Sequence, residues 1–171
     1  MLSALHAEFQ KAHRRHDLAI CLVVPVVVFL WTGRLTSNDP EELANAYSAL
    51  LYALPVLNAI LMPVVMALLA SRLWDIEVKG STTKLLYTLQ SRRSLFAAKA
   101  AFGIGEVVLM VALEMGAAVL LGYTQHYTEA LPVGQLFYLG GCTLAVDVML
   151  YLSELLLMLA WENPLPALCV G

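Results

Sequence analysis

Glu106, Glu114, Asp147 and Glu154 stand inside two long apolar runs, one containing GIGEVVLMVALEMGAAVLLG (103–122) and one covering 134–161. An ionised acid at the centre of a membrane helix costs about 2.5–3.5 kcal/mol on insertion scales. Four such groups must therefore be neutral, hydrated or turned toward protein. Asp147 and Glu154 are seven residues apart and share a helix face. Glu106 and Glu114 are eight apart, about 80° around a helix. In antiparallel helices Glu106 and Glu154 fall in one half of the span, and Glu114 and Asp147 fall toward the middle or the other half. These two rungs can line one seam. Their chemistry is either a polar, proton-sensitive path or structural glue, with protonated acids bonded across helices.

Other reactive residues offer less. His13 and His16 have a spacing that suits a metal, but beside Arg14 and Arg15 they read as interfacial polar groups. Cys21, Cys142 and Cys169 lie in apolar segments with no close pairing, which gives neither a disulfide framework nor a metal site. GSTTK at 80–84 lacks the first glycine and the spacing of a phosphate loop. No H-E-x-x-H or G-x-S-x-G occurs. The chain is expected to be no enzyme, to hold no metal and to bind no cofactor directly. Its basic residues are placed for topology, so nucleic acid is not an expected partner.

The elements that must hold the acids are membrane helices. The chain has 171 residues, 60% of them hydrophobic and 13% charged. A soluble domain has about 45–50% apolar and about 25% charged residues. Four apolar runs, at about 17–33, 47–73, 95–122 and 134–161, meet or nearly meet the ~20 residues that cross a bilayer. The first is short. Trp31, Trp74 and Trp161 fall at run ends, where an aromatic belt places them. The first run follows the basic KAHRRH (11–16), but no A-x-A-like cleavage site follows it, so it is expected to stay as an anchor.

Pro25, Pro55 and Pro63 interrupt the first two runs. They bend ordinary membrane helices or mark a broken helix that lines a path. Ala101 with Gly105, Ala112 with Gly116, and Gly140–Gly141 predict tight packing between helices or protomers.

Charge then orients the helices. Segment 1–16 holds Lys11, Arg14 and Arg15, and loop 72–99 holds Arg72, Lys79, Lys84, Arg92, Arg93 and Lys99. Loop 34–46 holds only Arg34, and segment 123–133 and the tail hold no Lys or Arg. Basic residues beside spans stay in the cytoplasm. The N-terminus and loop 72–99 are therefore expected inside, with no cation deep in a span to neutralise the acids.

Two segments at that inner surface have helical character. Leu2, Leu5, Phe9 and Ala12 recur at helical spacing with charges around them, so 1–16 reads as an amphipathic interfacial helix. In the loop 74–94, Gly80 stops one element. Ser81 or Thr82 can cap another that carries Leu85, Leu86 and Leu89 on one side. Such a helix is either a docking knob for a soluble partner or an interfacial connector.

These segments resemble the ABC-2 type transporter permeases. AEFQKAHRRHDLAICLVVPVV is similar to the family's opening surface helix and proline-bearing span, with Ala7, Glu8, Phe9, Lys11 and Arg14 matching. EVKGSTTKLLYTLQSRRSLFAAK resembles its cytoplasmic signature through Glu77, Gly80, Ser81, Leu85, Leu86, Thr88, Ser91, Arg92 and Lys99, with Gln90 in place of the usual proline. WENPLPALCVG (161–171) is similar to the N-P element before a fifth span. The overall look is similar to permeases of lantibiotic immunity systems.

The resemblance implies an all-α membrane protein in the cytoplasmic membrane. The apolar runs give it about four spans and the periodicity of 1–16 an N-terminal interfacial helix, and the resemblance makes the loop helix a cytoplasmic coupling helix. It implies a dimer with a second copy or a paralogue, set in lipid, and a separate subunit that binds ATP. Glu77, Gly80, Ser81, Lys84, Leu85, Leu86 and Arg92 would dock that subunit. The expected function is export of an amphiphilic or peptide antibiotic-like cargo. The family has six spans, so residues 162–171 are expected to be a cytoplasmic tail or the start of a truncated fifth. Two other readings stay open: an ion- or proton-linked carrier or channel using the buried acids, and a truncated, non-transporting protein that only binds a partner.

Overall fold

The computed structural model describes residues 17–35, 39–79 and 92–161. The described residues are helical, with no strand among them. Helix α1 is Asp17–Leu35, α2 is the single turn Pro40–Leu43, α3 is Ala46–Lys79, α4 is Arg92–Thr124 and α5 is Val133–Trp161. The all-α class expected from composition is the class observed.

Length separates the helices. At 1.5 Å per residue, α3 and α4 are each about 50 Å long and exceed the ~30 Å hydrocarbon layer, whereas α1 is about 28 Å. Three segments are long and apolar enough to cross a membrane, Ala46–Leu73, Phe96–Thr124 and Val133–Met158. The apolar part of α1, Ala19–Arg34, is shorter. The first run reads as short in the sequence, and α1, at 19 residues, is the shortest of the four long helices. Pro25 lies inside α1, and Pro55 and Pro63 lie inside α3, and both helices continue through them.

The long helices form a ring in the order α1, α4, α5, α3. Helix α3 packs most on α5, α1 on α4, and α4 on α5. The fourth side, between α1 and α3, is the thinnest. Cys21, Val24, Val28, Leu54, Met62, Met66, Val107, Met110, Tyr151 and Leu155 fill the interior. Apolar side chains also cover the outside, among them Leu30, Trp31, Val56, Ile60, Phe137 and Met149. An apolar exterior around an interior that holds carboxylates inverts the soluble pattern and suits lipid as solvent.

Of the positions that small-residue spacing singles out, Gly140 sits at a close approach within the protomer, and Gly105, Gly116 and Gly141 do not. A Cβ at Gly105, Gly116 or Gly141 would meet nothing within 4 Å, so those positions are open in the protomer. A Cβ at Gly140 would sit 3.2 Å from Met115. The tight contacts are at Gly103, where a Cβ would overlap the Tyr151 phenol, and at Gly122, where it would overlap that of Tyr47. An aromatic ring from a neighbouring helix occupies the space each glycine leaves, and no sequence spacing encodes that.

Candidate functional site

The acids sit where they do because their helices cannot turn them outward. Each stands in a run whose other faces carry Val, Leu and Met against lipid or core. Glu106 and Glu114 on α4 and Asp147 and Glu154 on α5 are all buried. Glu114 is 0% exposed and Asp147 is 1% exposed, which leaves neither any contact with solvent or lipid.

Glu114 and Asp147 face each other closely enough to interact electrostatically across α4 and α5. Asn58, from α3, lies beside Glu114 and is also buried. Three helices thus bring one amide and two carboxyl groups to the centre of the ring. Neither side-chain atom of Asn58, neither oxygen of Glu114 and not Oδ2 of Asp147 has a hydrogen-bond partner. The Asn58 amide approaches the Glu114 carboxyl without reaching hydrogen-bond geometry. Buried polar atoms are nearly always bonded, so this cluster departs from ordinary interhelical glue.

The other pair lies toward the end of the bundle from which segment 80–91 leaves. Glu154 is buried with Oε2 unpartnered. The backbone carbonyl of Glu106 accepts the Cys21 thiol at 3.8 Å, which ties α1 to α4. Near them lies a cation the sequence did not reveal as buried. Lys99 is 1% exposed, and it is the one buried cation among the described residues. Its Nζ donates to the Leu73 carbonyl of α3. The Tyr151 hydroxyl donates to the Lys99 carbonyl at 3.1 Å. Lys99 lies near the start of the span that begins at Phe96 and not deep within it. It falls in both the basic loop 72–99 and the apolar run 95–122, and α4, which starts at Arg92, carries it inside. It lies seven residues from Glu106 and on the same face.

The expected docking residues divide. Glu77 falls within the last turns of α3, and Arg92 opens α4. Gly80, Ser81, Lys84, Leu85 and Leu86 lie outside the described residues. So do the interfacial helix expected over 1–16, with His13 and His16, and the segment 162–171 with Cys169. Cys21 is buried and Cys142 exposed, and among the described residues neither forms a disulfide. Among the described residues no three His, Cys, Asp or Glu side chains converge as a metal set. Asn58 is the site residue that sequence reasoning missed. Its signal was present as one amide in the apolar run NAILMPVVMALLA.

The family model described as ABC-2 family transporter protein matches residues 4–171. This chain belongs to the ABC-2 transporter family. The match covers nearly the whole chain, so the bundle is the membrane permease part of an ABC transporter. No curated protein and no solved structure matches the chain.

Proposed function

We propose that this ABC-2 protein is the permease subunit of an ATP-driven exporter in the cytoplasmic membrane. The N-terminus and the segment 74–94 face the cytoplasm in this reading. The segment docks on a separate subunit that binds and hydrolyses ATP, through Glu77, Gly80, Ser81, Lys84, Leu85, Leu86 and Arg92. A second copy or a paralogue completes the path through the membrane. The cargo is amphiphilic, in the manner of a peptide antibiotic.

The family match over residues 4–171 carries this reading. Helix geometry supports it. The last residues of α3, WDIEVK (74–79), carry three charges, and α4 opens on Arg92 and Arg93. Segment 80–91 therefore joins two long helices whose adjoining ends are charged. A push on such a segment moves two stiff rods rather than a slack loop. Lys99 bonded to the Leu73 carbonyl couples the rods at their base.

The test is copurification from detergent of an ATP-binding subunit with the tagged chain, wild type against Glu77→Ala with Gly80→Pro. Capture by wild type and loss in the folded variant supports the reading. Capture by neither, with both folded, removes it.

One observation favours a second reading, an ion- or proton-linked carrier. Glu114, Asp147 and Asn58 meet in the interior with unpartnered atoms. Glu114→Gln with Asp147→Asn separates the two. A carrier loses pH-dependent flux in this variant, whereas an exporter keeps the binding of its ATP-binding subunit.

A further inference from the structure

The thin side of the ring opens into a cavity at the end of the bundle opposite segment 80–91. It lies between the end of α1, the turn α2 and the start of α3, and its volume is about 600 Å³. Small-molecule sites span roughly 300–1,000 Å³. Its floor is Ala46, Ala49, Leu50 and Ala53, successive residues of one face of α3. Three of these four are alanines, and their short side chains leave the space.

The rim is acidic. Glu41 and Glu42 line it from α2, and among the described residues no Lys or Arg lines it. Across this end of the bundle the described charges are Asp39, Glu41, Glu42 and Glu129 against Arg34. One wall is aromatic. Tyr127 lines the cavity and packs edge-on against Tyr47, with ring centroids 5.0 Å apart and planes at 84°. A tyrosine face attracts a cation.

The rim is also anchored. The Leu43 N–H donates to the Asp39 carbonyl at 3.0 Å, and the Thr128 N–H donates to the Leu43 carbonyl at 3.3 Å. The second bond ties the acidic turn to the connection between α4 and α5. An alanine floor, a carboxylate rim and an aromatic wall together specify a ligand that is apolar at one end and positive at the other.

We propose that this cavity binds an amphiphilic organic cation. The apolar body lies on Ala46, Ala49 and Ala53, and the positive charge lies between the Glu41 and Glu42 carboxylates and the Tyr127 ring. An anion of the same shape is repelled by the rim. A neutral lipid tail fits the floor but leaves the acids unused. The site deepens the proposed export of an amphiphile by giving that cargo a charge. It does not depend on the docking of an ATP-binding subunit, because binding is measured on the full chain alone.

The experiment uses two ions of nearly equal size and opposite charge, tetraphenylphosphonium and tetraphenylborate. Equilibrium binding of each is measured on the purified full chain in a non-ionic detergent. The expected result is saturable binding of the phosphonium alone. Glu41→Gln with Glu42→Gln lowers that affinity by at least about tenfold, because it removes both rim charges. Ala53→Phe abolishes binding by filling the floor. Helicity and thermal unfolding confirm that both variants are folded. The proposal is overturned if the two ions bind alike, or if the double amide variant binds the phosphonium as wild type does. It is also overturned if the chain is dimeric and takes up no phosphonium, which would place a second copy in the cavity. Loss of subunit capture in the pull-down, with phosphonium binding intact, removes the docking reading and leaves this one standing.

Discussion

The phenol of Tyr151 occupies the space that Gly103 leaves by having no side chain, so α4 and α5 meet there closer than any other residue at 103 allows. From that seat the Tyr151 hydroxyl donates to the Lys99 carbonyl one turn away, at 3.1 Å. The glycine sets the helix approach, and the approach sets the bond. The same interface holds Asp147 and Glu154.

Gly103→Ala should therefore lower stability more than an ordinary glycine change in a helix. Propensity alone favours alanine there by about 1 kcal/mol. Overpacking a filled interior costs about 1–3 kcal/mol, and the ring has no open side to retreat to. The expected net result is a lower thermal midpoint. Tyr151→Phe keeps the ring and loses only the bond, at a cost of about 0.5–1.5 kcal/mol. Thermal unfolding in detergent checks both. A Gly103→Ala midpoint at or above wild type contradicts the close approach.

Glu129 makes a pH-sensitive clasp. It accepts the Ser48 hydroxyl at 2.6 Å and the Ser48 N–H at 3.0 Å, which joins the connection between α4 and α5 to the start of α3. The Ser48 hydroxyl bond is the main reason its carboxyl is held below the ordinary carboxylate range. A depressed folded-state value means the clasp stabilises above the unfolded pKa. It is lost as pH falls through the folded-state value. Exchange of the Ser48 amide proton should be protected at neutral pH and quicken relative to its neighbours at acid pH. Glu129→Gln should remove that pH dependence, and its persistence in the variant would assign the protection to another group.

Much of this fold is visible in its residues, and the reasons differ by element. Apolar runs in which acids are sparse have few alternatives to the helix in lipid, because every backbone group must be bonded within the segment. That made the all-α class legible. Four acids in such runs had to turn inward, and burial of all four follows the same argument. The burial of Lys99 was not legible, since it falls in both the basic loop 72–99 and the apolar run 95–122, and only its bond to the Leu73 carbonyl of α3 decides between them. Gly103 and Gly122 were missed for another reason. Small-residue spacing reports backbone approach along one helix, but here the partners are rings on other helices, Tyr151 and Tyr47. The cavity beside α2 depends on the thin contact between α1 and α3, which is a property of packing and not of either segment.

Glu114 should be dispensable for stability. Both its oxygens are buried, and only the nearby Asn58 amide offsets the desolvation cost that the folded state bears. Removing an unsatisfied buried polar group of this kind returns about 1–3 kcal/mol. Glu114→Met, which fills a similar volume, should raise the thermal midpoint in detergent. Transport by the assembled system should fall in the same variant if the interior acids act on cargo or protons. A destabilised Glu114→Met would show that the carboxyl has a stabilising partner, and the site would then be structural.

Lys99 links the bundle interior to segment 80–91. Its Nζ donates to the Leu73 carbonyl, so one buried side chain clamps α3 to α4 near their charged adjoining ends. Lys99→Met keeps the apolar stem and removes the donor. The Leu73 carbonyl then loses a charge-assisted bond of about 1.5–3 kcal/mol. The rods should splay at their base without the ring unfolding. Global thermal unfolding should fall only modestly, while amide exchange speeds up near Leu73. If segment 80–91 carries motion from an ATP-binding subunit, ATP hydrolysis in the assembled complex should lose its dependence on cargo before subunit capture is lost. If capture and coupling both stay at wild-type levels while exchange near Leu73 rises, the clamp serves stability alone.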